Sequence, residues 1–133
     1  MKYTRKCNKT KKTKTIFMFG KQIKTRKDKA RGLMFRKKKL LNNEGLLFTW
    51  KNPKIIKMYM KNTYIPLDIL YLNKNFKIVG LAKNTKPLSL KLLYVNKKST
   101  HVIETNAGFI NKHKIKINDF VKFKKTRKNK KKI

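Results

Sequence analysis

The sequence predicts an all-β or β-rich α+β domain, a compact barrel- or sandwich-like body of about six to seven short strands with two short helices. Three observations predict it. Short runs rich in Ile, Leu, Val, Phe and Tyr recur along the chain, each bounded by Asn, Lys, Gly or Pro. No segment sustains a 3.6-residue apolar period for long, which argues against a helix-turn-helix or a basic zipper. A length of 133 residues gives one domain with a modest core and leaves no room for a second.

The elements follow in order. Thr15 to Ile23 reads as a first strand broken at Gly20, a residue suited to a turn or bulge. TRKDKARGLMFR reads as a short helix, with Thr25 capping its start, Asp28 at capping-box spacing and Gly32 near its end. NNEGLLFTW is a turn leading into a strand that carries Leu46, Phe48 and Trp50 on one side. Ile55 to Met60 is another apolar stretch, and a polar MKNT loop then delivers the chain into PLDILYL, with Pro66 at the strand's first position or on an edge. Asn73-Lys74-Asn75 turns this strand into FKIVGLA as a hairpin. LKLLYV and HVIET add two strands. NAGFINKH forms a short helix with Asn106 near its cap, KIKIND is a turn, and FVKF is the last strand. Aromatic pairs such as Phe17 with Phe19 and Tyr59 with Tyr64 are interleaved with Lys; at alternating strand positions they are expected in the core rather than stacking bases.

The formal net charge of +34 points first to nucleic acid. Its distribution weakens that reading, because the excess is concentrated at the two ends. Residues 1–14 and 124–133 are nearly all Lys, Arg, Thr and Asn and are expected to be disordered tails around a single domain at 15–123. Lys outnumbers Arg 34 to 5, the drift of an AT-rich genome, and Lys lacks the bidentate geometry that reads phosphate or guanine. Non-specific contact with nucleic acid or an anionic surface through the tails is expected at low salt; specific recognition is not.

Cys7 is the only cysteine, and His101 and His113 are the only histidines, so neither a disulfide framework nor a metal site is expected, and no cofactor. Ile16 to Phe19, the longest apolar run near the N-terminus, is too short for a signal-peptide core of ~7–15 residues or a span of ~20, so the expected compartment is the cytoplasm with no transmembrane segment.

Asp68 is the most informative single residue. From Pro66 the side chains alternate, with Leu67, Ile69 and Tyr71 on one face and Asp68, Leu70 and Leu72 on the other, so both faces are largely apolar. A carboxylate there needs hydrogen bonds or a partner. Lys61, Asn62 and Thr63 are the nearest candidates, and the Asp either ties down its own loop or serves a site. Glu104, two residues before Asn106-Ala107-Gly108, is expected to accept backbone N–H groups at the following helix start. The candidate pocket comprises Arg31, Lys61, Asn62, Thr63, Asp68 and Glu104, binding a small ligand or a protein partner. Two alternatives stand beside it: a nucleic-acid- or ribosome-associated basic protein, and a hydrolase pairing Asp68 with Glu104. The chain carries no phosphate loop, nucleophile elbow or metal motif, so no catalytic residue is assigned.

ARGLMFR, EGLLF, MKNTYIPLDI and ETNAG occur in this order, and with them the chain resembles the conserved bacterial and archaeal family known as domain of unknown function 192. The resemblance runs from about Thr15 to Phe123 and is strongest in MKNTYIPLDI; just before that motif Tyr59 stands in place of the family's usual Trp, and in KINDFV Asn118 stands where a Gly-Asp turn is usual. It implies a compact β-rich domain without an established activity, in a family whose members often carry an export signal. The recurrent positions map onto Arg31, Gly32, Met34, Glu44, Gly45, Met60, Lys61, Asn62, Thr63, Pro66, Asp68, Glu104, Ala107 and Gly108.

Overall fold

In the first strand, β1 (Thr15–Gly20), the inward parity falls on Ile16 and Met18, which leaves Phe17 turned to solvent. Two more of the aromatics expected inside, Tyr59 and Tyr64, are also well exposed, because their segments are loops and no strand pleat directs them inward. The computed structural model describes residues 12–126. After β1 come β2 (Gln22–Ile23), α1 (Arg26–Arg31), β3 (Gly45–Lys54), β4 (Leu67–Leu72), β5 (Ile78–Ala82), β6 (Ser99–Asn106), α2 (Phe109–Lys112) and β7 (Phe120–Lys125). Seven strands and two short helices match the expected β-rich, sandwich-like class.

Five strands form one sheet in the order β2-β3-β6-β4-β5, and β1 pairs with β7 as a parallel ribbon. The sheets do not close into a barrel. Where closure would occur there are only two isolated bridges, Phe19 with Glu44 and Lys77 with Phe120, in place of ladders. β2, which pairs only two residues with β3 before α1 begins, is too short to extend that edge. One core cluster, including Met18, Leu47, Leu70, Ile103 and Ile110, fills the space between ribbon and sheet; a second, including Leu33, Phe48, Met60, Ile69 and Tyr71, covers the sheet's other face. β4 is buried along its whole length because it has apolar neighbours on both faces.

Local signals behave as their chemistry requires. The Thr25 hydroxyl accepts the Asp28 amide at 3.0 Å, and Gly32, at φ 47°, ends α1 with its N–H on the Asp28 carbonyl at 2.9 Å. Asn118 takes a left-handed turn, φ 83°. Three expectations fail. LKLLYV makes no strand ladder, only a bridge between Met58 and Leu93, because its outward Leu90, Leu92 and Tyr94 have no sheet to pack on. The hairpin after β4 is longer than a three-residue loop, since Asn73 Oδ1 accepts from both Asn75 and Lys77 and delays β5 to Ile78. Asn106 does not cap α2. Its amide clamps Leu40, accepting the N–H at 2.9 Å and donating to the carbonyl at 2.7 Å, and Gly108 takes the cap position.

β7 runs to Lys125, two residues past the boundary expected at 123, and Lys14, placed in the tail, donates to Asp119 through both its amide and its ammonium. Burial opposes ionisation of Asp119, but the N–H groups of Lys116 and Lys14 and the Lys14 charge outweigh it and hold the carboxyl below its ordinary range. Residues 1–11 and 127–133 of the expected tails, Cys7 among them, lie outside the described residues.

Gly20 packs so closely on β3 that an added Cβ would come within 1.8 Å of the Gly45 carbonyl oxygen, at a φ of 154° that side chains avoid. Gly20→Ala is expected to cost about 3 kcal/mol or more in urea unfolding; a loss under about 1 kcal/mol would show that β1 can shift without penalty.

Candidate functional site

The central sheet separates the two buried acids. In its register Asp68 lies opposite Thr105 while Ile69 lies opposite Glu104, so strand alternation sends the two carboxyl groups to opposite faces. This removes the paired-acid arrangement a hydrolase would need. It also reverses the roles expected of them. Asp68, almost wholly buried on the ribbon side, accepts the Asn84 amide at 2.7 Å and the Ile110 amide at 2.8 Å, pinning the loop after β5 and the first turn of α2. No MKNT residue reaches it.

Glu104 faces the other way, beside Leu46 of β3 and Ile69 of β4. Only 4% of its surface is exposed, and among the described residues no donor or cation contacts its carboxyl. Burial pushes its pKa up to about 8, so at neutral pH it is mostly a neutral acid. The same burial, with Glu104 nearby, raises the phenol of Tyr71, whose hydroxyl donates to the Leu93 carbonyl at 2.6 Å.

Above Glu104 opens a cavity of about 660 Å³. Its rim carries Lys24, Arg26 and Lys29 from α1 and its approach, Lys54 from β3, and Lys57 and Lys61 from the connection to β4. Trp50 forms part of the wall, stacked on Phe48 with 6.1 Å between ring centroids and covered by the Lys29 ammonium 4.3 Å from its own centroid. Partial burial, then the neighbouring Lys54, lowers the pKa of Lys29. Gly32 lets the chain pass over the acid: a Cβ there would lie 3.3 Å from Phe48 Cζ and 3.6 Å from Glu104 Oε1.

The MKNT loop is held from within. Met60 is fully buried and its sulfur accepts the Thr85 hydroxyl. Asn62 supplies a left-handed turn, φ 52°, and its carbonyl takes the Phe35 amide at 2.8 Å, which joins the loop to the turn after α1. The Thr63 hydroxyl donates to the Lys61 carbonyl at 3.1 Å. Of the six candidate residues, then, Lys61, Thr63 and Glu104 line one cavity, Asn62 shapes its loop, and Asp68 belongs elsewhere. Arg31 lines a neighbouring cavity of about 960 Å³ across the Gly32–Met34 turn, where Glu44 is already committed to the Leu41 amide at 2.8 Å. Sequence reasoning missed Lys29, Trp50, Lys54 and Lys57, which come from elements remote in the chain; the common face of Phe48 and Trp50 was the one available signal.

The family model DUF192, described as Uncharacterized ACR, matches residues 8–123. The chain belongs to that family. Two solved structures resemble this DUF192 domain. One is a candidate transcription regulator from Sinorhizobium meliloti, with a TM-score of 0.73 and 27% identity over 76% of this chain and 78% of that one. The other is a protein of unknown function from Novosphingobium aromaticivorans, with a TM-score of 0.72 and 31% identity over 76% of this chain and 71% of that one. No curated protein matches the DUF192 domain. No helix among its described residues is long and apolar enough to cross a membrane.

Proposed function

We propose that this DUF192 domain binds a small organic anion in the cavity between α1, β3 and the MKNT loop. One observation carries the reading: a buried carboxyl without a hydrogen-bonding or ionic partner among the described residues, Glu104, forms the floor of a cavity whose rim is cationic. Buried polar groups in folded proteins are almost always hydrogen-bonded, so an unpartnered one facing a cavity is a place for a ligand or water. The rim supports a negative ligand, since Lys29 and Lys54 both line the cavity and repel each other, and an anion between them relieves that repulsion.

Thermal-shift screening of small organic phosphates and carboxylates against the full chain tests this. At least one is expected to raise the melting temperature, and the double substitution Lys29→Glu with Lys54→Glu, made on the rim, is expected to remove at least 90% of the affinity. If no anion shifts the transition, or if charge reversal leaves the shift intact, the reading fails.

A further inference from the structure

The cavity is bipolar, and that constrains its ligand more than its net charge does. The other buried polar groups near Glu104 are spoken for: the Tyr71 hydroxyl proton goes to Leu93, and that of Thr63 goes to Lys61. With those two donors used, Glu104 is, among the described residues, the group at the floor that makes no hydrogen bond at all. Among the described residues the rim cations do not compensate it: burial is what moves its pKa, and no ion pair joins it, so the positive charge sits apart from the acid. A second anionic group at the floor would meet a buried carboxyl. A purely apolar end would leave that carboxyl unsatisfied. What fits is an uncharged group that both donates and accepts, because a carboxylic acid presents an O–H donor and a carbonyl acceptor side by side.

Resting on the anion-binding reading above, we infer that the cavity takes an organic anion whose inner end is an amide or lactam edge: Glu104 pairs with the adjacent N–H and C=O, while the anionic group lies among the rim cations. The aromatic wall of Phe48 and Trp50 beside Glu104 suits a planar ring carrying such an edge. A cavity of about 660 Å³ is within the usual range for small-molecule sites.

Titration calorimetry with uridine monophosphate, ribose 5-phosphate and inorganic phosphate tests the assignment on the full chain. Uridine monophosphate joins a lactam edge to a phosphate; ribose 5-phosphate keeps the phosphate and loses the edge. The nucleotide is expected to bind at least tenfold more tightly than ribose 5-phosphate. Glu104→Leu should erase that preference, and Glu104→Gln, which keeps a donor beside an acceptor, should retain it. Equal binding of nucleotide and sugar phosphate, or a preference that survives Glu104→Leu, overturns the lactam assignment but leaves anion binding standing. If these three fail while another organic phosphate or carboxylate shifts the melting temperature in a Lys29- and Lys54-dependent way, the lactam assignment alone falls. Failure of every anion removes both.

Discussion

Replacing Glu104 with glutamine will stabilise the protein at pH 8 and flatten its stability against pH. The native carboxyl titrates at about 8 because it is buried, against an ordinary value of 4.5. Below pH 4.5 both the folded and the unfolded chain hold the proton, so its ionisation does not affect folding. Between 4.5 and 8 the unfolded chain releases the proton while the folded chain keeps it; fewer protons are bound in the unfolded state, and stability falls as pH rises. The loss levels off above pH 8 at roughly 3–6 kcal/mol. Glutamine has no proton to lose, so Glu104→Gln should exceed the wild type by a few kcal/mol at pH 8, lifting the melting temperature by roughly 10 °C. His101 and His113 act in the opposite sense: burial, then nearby lysines, lowers both pKa values, so their contribution is lost as pH falls below the ordinary 6.5. The difference between variant and wild type cancels them. Urea unfolding of both proteins at pH 5, 6.5 and 8 measures it, and a variant less stable than wild type at pH 8 would mean that Glu104 has a partner supplying more than its burial costs.

Asp68→Ala will destabilise the fold by roughly 2–4 kcal/mol, because it strands two N–H donors, the buried one of Ile110 and the partly buried one of Asn84. Asp68→Asn should cost nearly as much: its single carbonyl oxygen can accept one of the two donors, and its NH₂ group is then turned against the other. Ligand affinity at the cavity should stay within twofold of wild type for whichever variant folds, since the sheet lies between Asp68 and the cavity. A variant that keeps its urea midpoint and loses ligand binding would put Asp68 back into the site. The same carboxylate that looks out of place in PLDILYL is thus a fastener between β4, α2 and the loop after β5.

The extent to which this was readable from the chain differs between the strands and the site. Strand existence was legible wherever apolar runs met turn residues, as in EGLLFTW and LDILYL, and so were Thr25 as a cap and Gly32 as a stop. LKLLYV has the same composition as a strand but lacks a ladder, because strand formation there depends on a neighbour that the local sequence does not reveal. The site was harder. β4 is apolar on both faces around Asp68, and β6 puts one apolar residue on each, Val102 on one and Ile103 on the other, so alternation could say that Asp68 shares a side with Leu70 and Glu104 with Val102, but not which side met the cavity. Register across β4 and β6 decides it, and register is a long-range property. MKNT borders the cavity through Lys61 and Thr63, yet its Met60, Asn62 and Thr63 mostly shape that loop, and most of the charges above Glu104 come from α1, its approach and β3.

The parallel pairing of β1 with β7 joins residues 15–20 to residues 120–125, more than a hundred positions apart. During synthesis, therefore, β1 emerges early and has no ladder partner until the final strand of the domain has been made. Closing so long a loop is slow, and it leaves Ile16 and Met18 uncovered in the meantime. The lysines at positions 12, 14, 21 and 24 flank that bare strand with like charge, which opposes its addition to the same strand of another unfinished chain.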